Sequence, residues 1–292
     1  MKITVFTPTY NRAYIIGNLY RSLCEQSYTN FEWLVVDDGS NDNTGELVQS
    51  FIDQNRLNIR YICKKNGGKH SAINLGAREA RGELFFIVDS DDFLTPQALE
   101  RISYHYEQIS GKTDFAGVCG CRYYPSGERV GGNMDFNILE CNMIDLQFKY
   151  KIKGDMAEVF KTNILLDYPF PEIEGEKYIP PKIIWYEIAR KYKLRYFNEN
   201  IYCCEYLKDG LTHFSKKNRM NSPRLSMLLY SSLYHMPQLP LAQRLAAALN
   251  YWRFSFGSNQ SFREKVTPMI TALVLMPFGL LLWFFDLWQI RK

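Results

Sequence analysis

No G-x-G-x-x-G follows the first strand-like run, ITVFTP, of this 292-residue chain, which argues against a dinucleotide-dependent dehydrogenase. Paired zinc-ligand spacing is missing as well: Cys119 and Cys121 are one residue apart, and Cys203 and Cys204 are adjacent. Seven scattered thiols in a chain too large to need staples point to buried cysteines in a reducing compartment. A marked charge excess is absent. The net charge of +4 comes from Lys and Arg spread along the chain, so neither a nucleic-acid binder nor an acidic-substrate enzyme is indicated. Met1 and Lys2 lead straight into the apolar run, and no secretory leader is expected.

What is present suits one main domain with a smaller tail, since 46% hydrophobic and 23% charged residues are enough for a sizeable core. Over residues 1–125 the hydrophobic period alternates. Residues 3–6, 33–36, 59–63, 84–88 and 115–119 read as short strands, and 13–26, 43–54, 70–80 and 96–108 as helices. The alternation predicts an α/β fold, a mostly parallel sheet with helices on both faces.

Ligands collect at the carboxyl ends of such strands, and the polar residues of this sequence are stored there. The first strand is followed by Thr7-Pro8-Thr9-Tyr10-Asn11-Arg12, the second by Asp37-Asp38-Gly39-Ser40, and the third by Lys64-Lys65-Asn66-Gly67-Gly68-Lys69. The fourth ends in Asp89-Ser90-Asp91-Asp92. Taken singly, Asp38 or Ser40 reads as a helix cap, Gly67-Gly68 as a turn and Lys69 as a solvated charge. Four such ends opening onto one crevice read as a site. Three like charges carried inward on a strand repel and lose hydration, so folding alone gives no reason to gather them.

Over about residues 1–215, TPTYNR, VVDDGSNDNT, NGGKHSAINLGAREARGE and FFIVDSDD, in that order, resemble the family 2 glycosyltransferases of GT-A fold. The resemblance implies a Rossmann-like GT-A domain and an inverting transfer of a sugar from a nucleoside-diphosphate donor, of uridine type, to an acceptor hydroxyl. It also implies a divalent metal. A diphosphate and an Asp-X-Asp turn are both anionic and share a site only with a cation between them, for which Mg²⁺ or Mn²⁺ with oxygen ligands is suited. By the same resemblance Asp91 and Asp89 are the expected ligands, with Asp89 and Ser90 near the ribose. Asp38 is expected to accept from the donor base, and Thr7, Pro8, Tyr10 and Arg12 to line the nucleoside pocket. Lys69 is expected at a phosphate or donor hydroxyl. Asn74 either does the same or packs within its helix, while Ala72 and Gly76 read as packing.

The transfer also needs a base beside the acceptor hydroxyl. Prolines, Pro180 and Pro181, stand before the helix expected at 183–192, where family members place an acidic pair. Upstream, the loop carrying Glu172, Glu174 and Glu176 offers carboxylates; Glu176 is the expected base and Glu174 the second, against a reading of both as solvated charges. His213 is a further candidate at the metal and diphosphate. Tyr178, Trp185, Tyr186 and Tyr206 supply either a sugar platform or core.

The expected organisation is a catalytic domain over 1–215, with a nucleotide-sugar half at 1–125 and an acceptor half at 126–215, and a helical region at 216–292. No charge interrupts residues 266–285, a stretch bracketed by Arg263, Lys265, Arg291 and Lys292. That length matches a bilayer, but Pro268, Pro277 and Gly279 predict an interrupted helix, which suits a re-entrant or interfacial hairpin as well as a crossing, with interfacial insertion ahead of spanning. The alternative is a buried helix pair that caps the catalytic domain or forms a dimer contact. The expected location is cytoplasmic, at the inner face of the membrane, with a glycan or lipid-linked acceptor and a role in surface polysaccharide synthesis. Two other classes remain in view: a sugar-nucleotide-forming nucleotidyltransferase, which would want a Gly-rich basic loop after the first strand, and a non-catalytic nucleotide-sugar-binding module.

Overall fold

The first apolar run forms β1 (Ile3–Thr9), buried along its whole length, so both of its faces are covered. After it come α1 (Ile16–Cys24), β2 (Phe31–Asp37), α2 (Thr44–Asp53), β3 (Ile59–Cys63), α3 (Lys69–Glu79) and β4 (Leu84–Ile87). The computed structural model describes residues 2–205, 210, 213–258 and 269–290. Within them the chain continues through β5 (Phe93–Leu94), α4 (Ala98–Glu107), β6 (Phe115–Tyr123), β7 (Ile138–Cys141), α5 (Met143–Phe148), β8 (Met156–Lys161), α6 (Thr162–Asp167), α7 (Lys182–Ala189) and β9 (Lys193–Cys203). Tyr206, Lys208, Asp209, Leu211, Thr212, Arg263, Lys265, Pro268, Arg291 and Lys292 lie outside the described residues.

The described strands form one mixed sheet in the order β3-β2-β1-β4-β8-β6-β9-β5, with β7 also on β9. β1 to β4 are parallel; β8 is antiparallel to both β4 and β6, and β9 is parallel to β6. The carboxyl ends of β1, β2, β3, β4, β6 and β9 therefore share one edge, together with the first residues of β8.

Two layers hold the sheet. On one face Val5, Trp33, Val35, Phe86, Val88, Val159 and Tyr202 join the main core with Leu19 and Leu99 of the flanking helices. On the other, Phe6 stacks on Phe85 at 4.9 Å, and Gly76 of α3 closes over Phe6. A Cβ on Gly76 would come within 2.1 Å of that ring, which bears out the packing role read for it. Trp185 packs on Phe160 and Phe170, and Tyr186 is buried with its hydroxyl donating to Gln147. All seven cysteines are free.

Contacts divide the chain into two units, Met1–Phe170 with Ile184–Glu205 and Pro171–Ile183 with Tyr206–Lys292. The segment 171–183, expected in the acceptor half, packs with C-terminal residues because its backbone is hydrogen-bonded there. Lys177 N and Tyr178 N both donate to Ser222 Oγ, at 3.2 and 3.1 Å.

The second unit holds α8 (Ser215–Met220), α9 (Pro223–Tyr234), α10 (Leu241–Ser255) and α11 (Met269–Ile290). α11 runs unbroken through Pro277, where an interruption was expected. Proline costs a backbone hydrogen bond, and packing against α10 offsets that loss: a Cβ on Gly279 would meet Trp252 Cβ at 2.8 Å, so the two helices touch closely there. Further along, Arg253 donates to both oxygens of buried Asp286, and Lys216 Nζ lies 2.7 Å from it. Val274, Phe278, Leu281, Phe285 and Trp288, spaced four and three residues apart, leave an exposed apolar stripe on α11. Among the described residues no helix is long and apolar enough to cross a membrane.

Candidate active site

The loops at the carboxyl edge are stitched to one another by polar side chains. Asp37 accepts from Tyr61 Oη and from Ser40 N, both at 2.7 Å, and Ser40 Oγ in turn accepts from Asn11 N. Arg12 N donates to Thr44 Oγ1 at 3.1 Å. Thr7 is buried and accepts from Trp33 Nε1, Pro8 lies inside the sheet, and Tyr10 is exposed at its edge. The hydroxyl of Thr7 is thus engaged by the core.

Asp38 is buried and its carboxylate organises the loop between β3 and α3. Oδ1 accepts from Lys64 Nζ at 2.8 Å and Gly67 N at 2.9 Å, and Oδ2 from Gly68 N at 2.7 Å. Gly68 has φ +95°, a left-handed conformation that a side chain would strain, and α3 begins at the next residue. Lys69, thus placed at the start of α3, reaches Asp89 Oδ1 at 2.5 Å.

β4 delivers the carboxylates read from the sequence. Burial alone would push Asp89 up, but Lys69, Arg122 and Arg12 together hold it below the ordinary aspartate range. Asp91 goes the other way: burial and the neighbouring Asp89 raise it and outweigh the pull of Arg12 and Lys69. Asp92 is pushed up to about 7 by burial and Asp89, although Tyr202 Oη donates to it at 2.6 Å. Asp89 N donates back to the same Tyr202 oxygen at 2.9 Å, so one phenol holds both ends of the turn, and Ser90 is buried between them. A carboxylate whose charge is only partly offset, beside one that is held ionised, is a fitting place for a divalent cation with oxygen ligands. Among the described residues no three or more His, Cys, Asp or Glu side chains gather into a metal cage. A Mg²⁺-like ion takes one or two protein carboxylates and completes its shell with waters and substrate phosphates.

Three neighbours were not read from the sequence. Arg122, at the end of β6, lies over the Tyr202 ring at 4.1 Å and donates from Nε to Met156 O at 2.8 Å. Tyr202 comes from β9, and Glu158 from β8. Burial pushes Glu158 up to about 7 against the pull of Arg122. Each stands alone in its strand, and only the pairing of β6, β8 and β9 brings them to this edge, so no local motif announces them.

Other expected residues take structural roles. Asn74 exchanges two hydrogen bonds with the Phe170 backbone, Nδ2 to O at 2.9 Å and N to Oδ1 at 2.8 Å, which resolves its two readings towards packing. In the second unit Glu176 is buried and caps α9: Oε1 accepts from Arg224 N and Nε, and Oε2 from Leu225 N at 2.7 Å. Both oxygens of the expected base are therefore engaged at a helix start, where an anion is favoured. Glu174 is exposed, and its backbone oxygen accepts from Arg224 Nη2. His213 is exposed, with its ring edge against Phe214.

Residues 4–166, more than half of the chain, match glycosyl transferase family 2, and the chain belongs to that family. It is 35% identical over 130 residues to glycosyltransferase GlyG of Streptococcus pneumoniae, a stretch covering 44% of this chain and 41% of GlyG. It is also 35% identical over 102 residues to the poly(ribitol-phosphate) beta-N-acetylglucosaminyltransferase TarS of Staphylococcus aureus, covering 34% of this chain and 18% of TarS. The matched stretch thus spans less than half of either relative. Among solved structures, S. aureus TarS 1–349 with UDP-GlcNAc aligns with a TM-score of 0.65 at 22% identity, covering 96% of this chain and 79% of that one. The mannosyltransferase PcManGT from Pyrobaculum calidifontis, with GDP-Man and Mn²⁺, aligns at 0.58 and 17% identity, covering 96% and 80%. These likenesses establish the GT-A fold.

Proposed function

We propose that this protein transfers a sugar, with inversion, from a nucleoside-diphosphate donor of uridine type to an acceptor hydroxyl in surface glycan synthesis. The observation that carries the reading is the Asp89–Asp92 turn, set between Lys69 and Arg122 at the carboxyl edge of a family 2 sheet. Lys69 and Arg122 are cations suited to a diphosphate, and Asp91 is a carboxylate in want of one. TarS, solved with UDP-GlcNAc, shares the fold and supports a uridine donor.

Within this reading Asp91 and Asp89 would hold a divalent ion, which would supply Lewis-acid stabilisation to the leaving diphosphate. Asp38, with its Lys64 partner and the Gly67 and Gly68 amides, shapes the wall met by the donor base, and Tyr10 and Arg12 border the nucleoside. Lys69 moves between Asp89 and a donor oxygen. Developing charge on the diphosphate is met by fixed cations, the largest class of contribution to such a transfer. The C-terminal unit rests on an anionic membrane surface at the cytoplasmic face. Support for this comes from the exposed stripe on α11, and from the pairing of Asp286 with Arg253 and Lys216, which removes the carboxylate from it.

A panel of UDP- and GDP-sugars with Mg²⁺ or Mn²⁺, assayed for nucleotide release, tests the reading. Release from a UDP-sugar is expected. Release from none of the panel, by folded full-length protein, contradicts it.

A further inference from the structure

We propose that Glu158 is the general base that takes the proton of the attacking hydroxyl, an inference that rests on the sugar-transfer reading above. β8 runs antiparallel to β4, so its first residues stand beside the exit of β4 towards Asp89. Val159 pairs with Phe86 and points into the main core, so strand alternation turns Glu158 to the opposite face, the one that carries Phe160 and Phe85. Cys119 of β6 is its cross-strand partner. Two residues earlier on the same strand, Met156 O anchors Arg122, so the guanidinium and the carboxylate are held from one backbone segment.

The other recessed carboxylates at this edge are committed. Tyr61 and Ser40 hold Asp37; Lys64, Gly67 and Gly68 hold Asp38; Lys69 holds Asp89. Asp92 accepts from Tyr202 and from Glu205 N. Among the described residues, Asp91 and Glu158 are the two recessed carboxylates there that accept no hydrogen bond from another residue. Asp91 is matched to the cation that faces the diphosphate. Glu158 is left for the other requirement of the transfer.

Its surroundings suit proton acceptance near neutral pH. Burial pushes the carboxyl up to about 7 and Asp155 adds to the rise, while Arg122 stabilises the ionised form. Cys119 and Tyr196, which also sense its charge, are themselves buried and raised, so they stay protonated and add no competing anion. Glu158 remains partly accessible despite its recess. In the step, the acceptor O–H proton passes to a Glu158 oxygen while the hydroxyl lone pair forms the bond to the sugar anomeric carbon. The bond from that carbon to the phosphate oxygen breaks, its electron pair leaves on the nucleoside diphosphate, and Glu158 later returns its proton to solvent.

Hydrolysis of UDP-GlcNAc, with water as the acceptor, tests the assignment, because water too must lose a proton. The full chain and its Glu158→Gln variant are compared with Mn²⁺ for UDP release, with and without sodium azide, and for UDP affinity by calorimetry. UDP affinity is expected to be unchanged and UDP release to fall on the order of a hundredfold or more, as for loss of a general base. Azide has no proton to lose, so it is expected to restore release in Glu158→Gln, with the azide nitrogen bonded to the anomeric carbon. Wild-type rates in the variant, or a loss that azide leaves in place while UDP still binds, overturn the base assignment alone. A wild type that releases UDP from no UDP-sugar overturns the transfer reading and the base with it.

Discussion

Lys69 Nζ lies 2.5 Å from Asp89 Oδ1, so the first residue of α3 is joined to the exit of β4 across 20 positions of sequence. A charge-assisted hydrogen bond of this kind contributes about 1.5–3 kcal/mol. The pair also keeps Asp89 ionised, because burial alone would raise it. Lys69→Ala is expected to leave two adjacent carboxylates less compensated and to weaken UDP binding in Mn²⁺ by roughly ten- to a hundredfold. Calorimetry checks this, and equal affinities would remove Lys69 from the site.

Asp38 holds the β3–α3 loop through Lys64, Gly67 and Gly68. Its removal leaves two loop amides without an acceptor. Asp38→Ala is expected to speed hydrogen exchange at Gly67 and Gly68 and to lower UDP affinity at least tenfold, for loss of about 1.5 kcal/mol or more. Unaltered exchange with unaltered affinity would reject both roles.

The C-terminal unit depends on Asp286, whose side chain is 1% exposed and paired with Arg253 and Lys216. Hydrogen bonds to a charged group contribute about 1.5–3 kcal/mol, and Lys216 and Arg253, 37% and 20% exposed, keep part of their hydration when Asp286 is removed. Asp286→Ala is expected to lower the thermal midpoint of the chain, by an amount differential calorimetry reads directly. The sign of the pH dependence follows from the depressed carboxyl: burial opposes ionisation, but Arg253 and Lys216 outweigh it. The stabilisation is full above the ordinary aspartate value and is lost as pH falls through the lower folded value. A midpoint unaffected by the substitution at neutral pH would contradict the pairing.

On the exposed side of α11, Phe278, Phe285 and Trp288 are the aromatic members of the apolar stripe. Replacing all three by Ser is expected to abolish co-sedimentation of the full chain with anionic phospholipid vesicles while leaving UDP binding intact. Full-length protein that does not sediment with such vesicles would contradict membrane attachment through this face.

Much of the nucleotide-binding half was legible in the sequence, because each strand there is a short apolar run that ends in its own polar signal. The run 59–63 matches β3 residue for residue, and the helix read at 70–80 is α3 displaced by one position. β5, β7, β8 and β9 were not read. These strands, one of them only two residues long, acquire their meaning through antiparallel or long-range pairing, which period alone does not carry. The same difference divides the site. Asp38, Lys69, Asp89 and Asp91 stand in contiguous motifs, whereas Arg122, Glu158 and Tyr202 meet only once β6, β8 and β9 lie side by side. The capping role of Glu176 was hidden for a related reason, since a loop carboxylate and a helix-capping carboxylate look alike until Arg224 and Leu225, 48 and 49 residues away, are seen to donate to it. Pro277 likewise suggested a break that the packing of α11 on α10 overrides.

The most direct test of the central claim is metal-dependent UDP release from UDP-GlcNAc by the wild type and by Asp91→Ala, each with Mn²⁺ and with excess chelator. Asp91 is the carboxylate of the turn that burial and Asp89 raise against the pull of Arg12 and Lys69, and a cation bound there would stabilise charge on the departing diphosphate. The account predicts release by the wild type in Mn²⁺, and a fall of about a hundredfold or more both on chelation and in the variant. Undiminished release in chelator, or by Asp91→Ala in Mn²⁺, would contradict it.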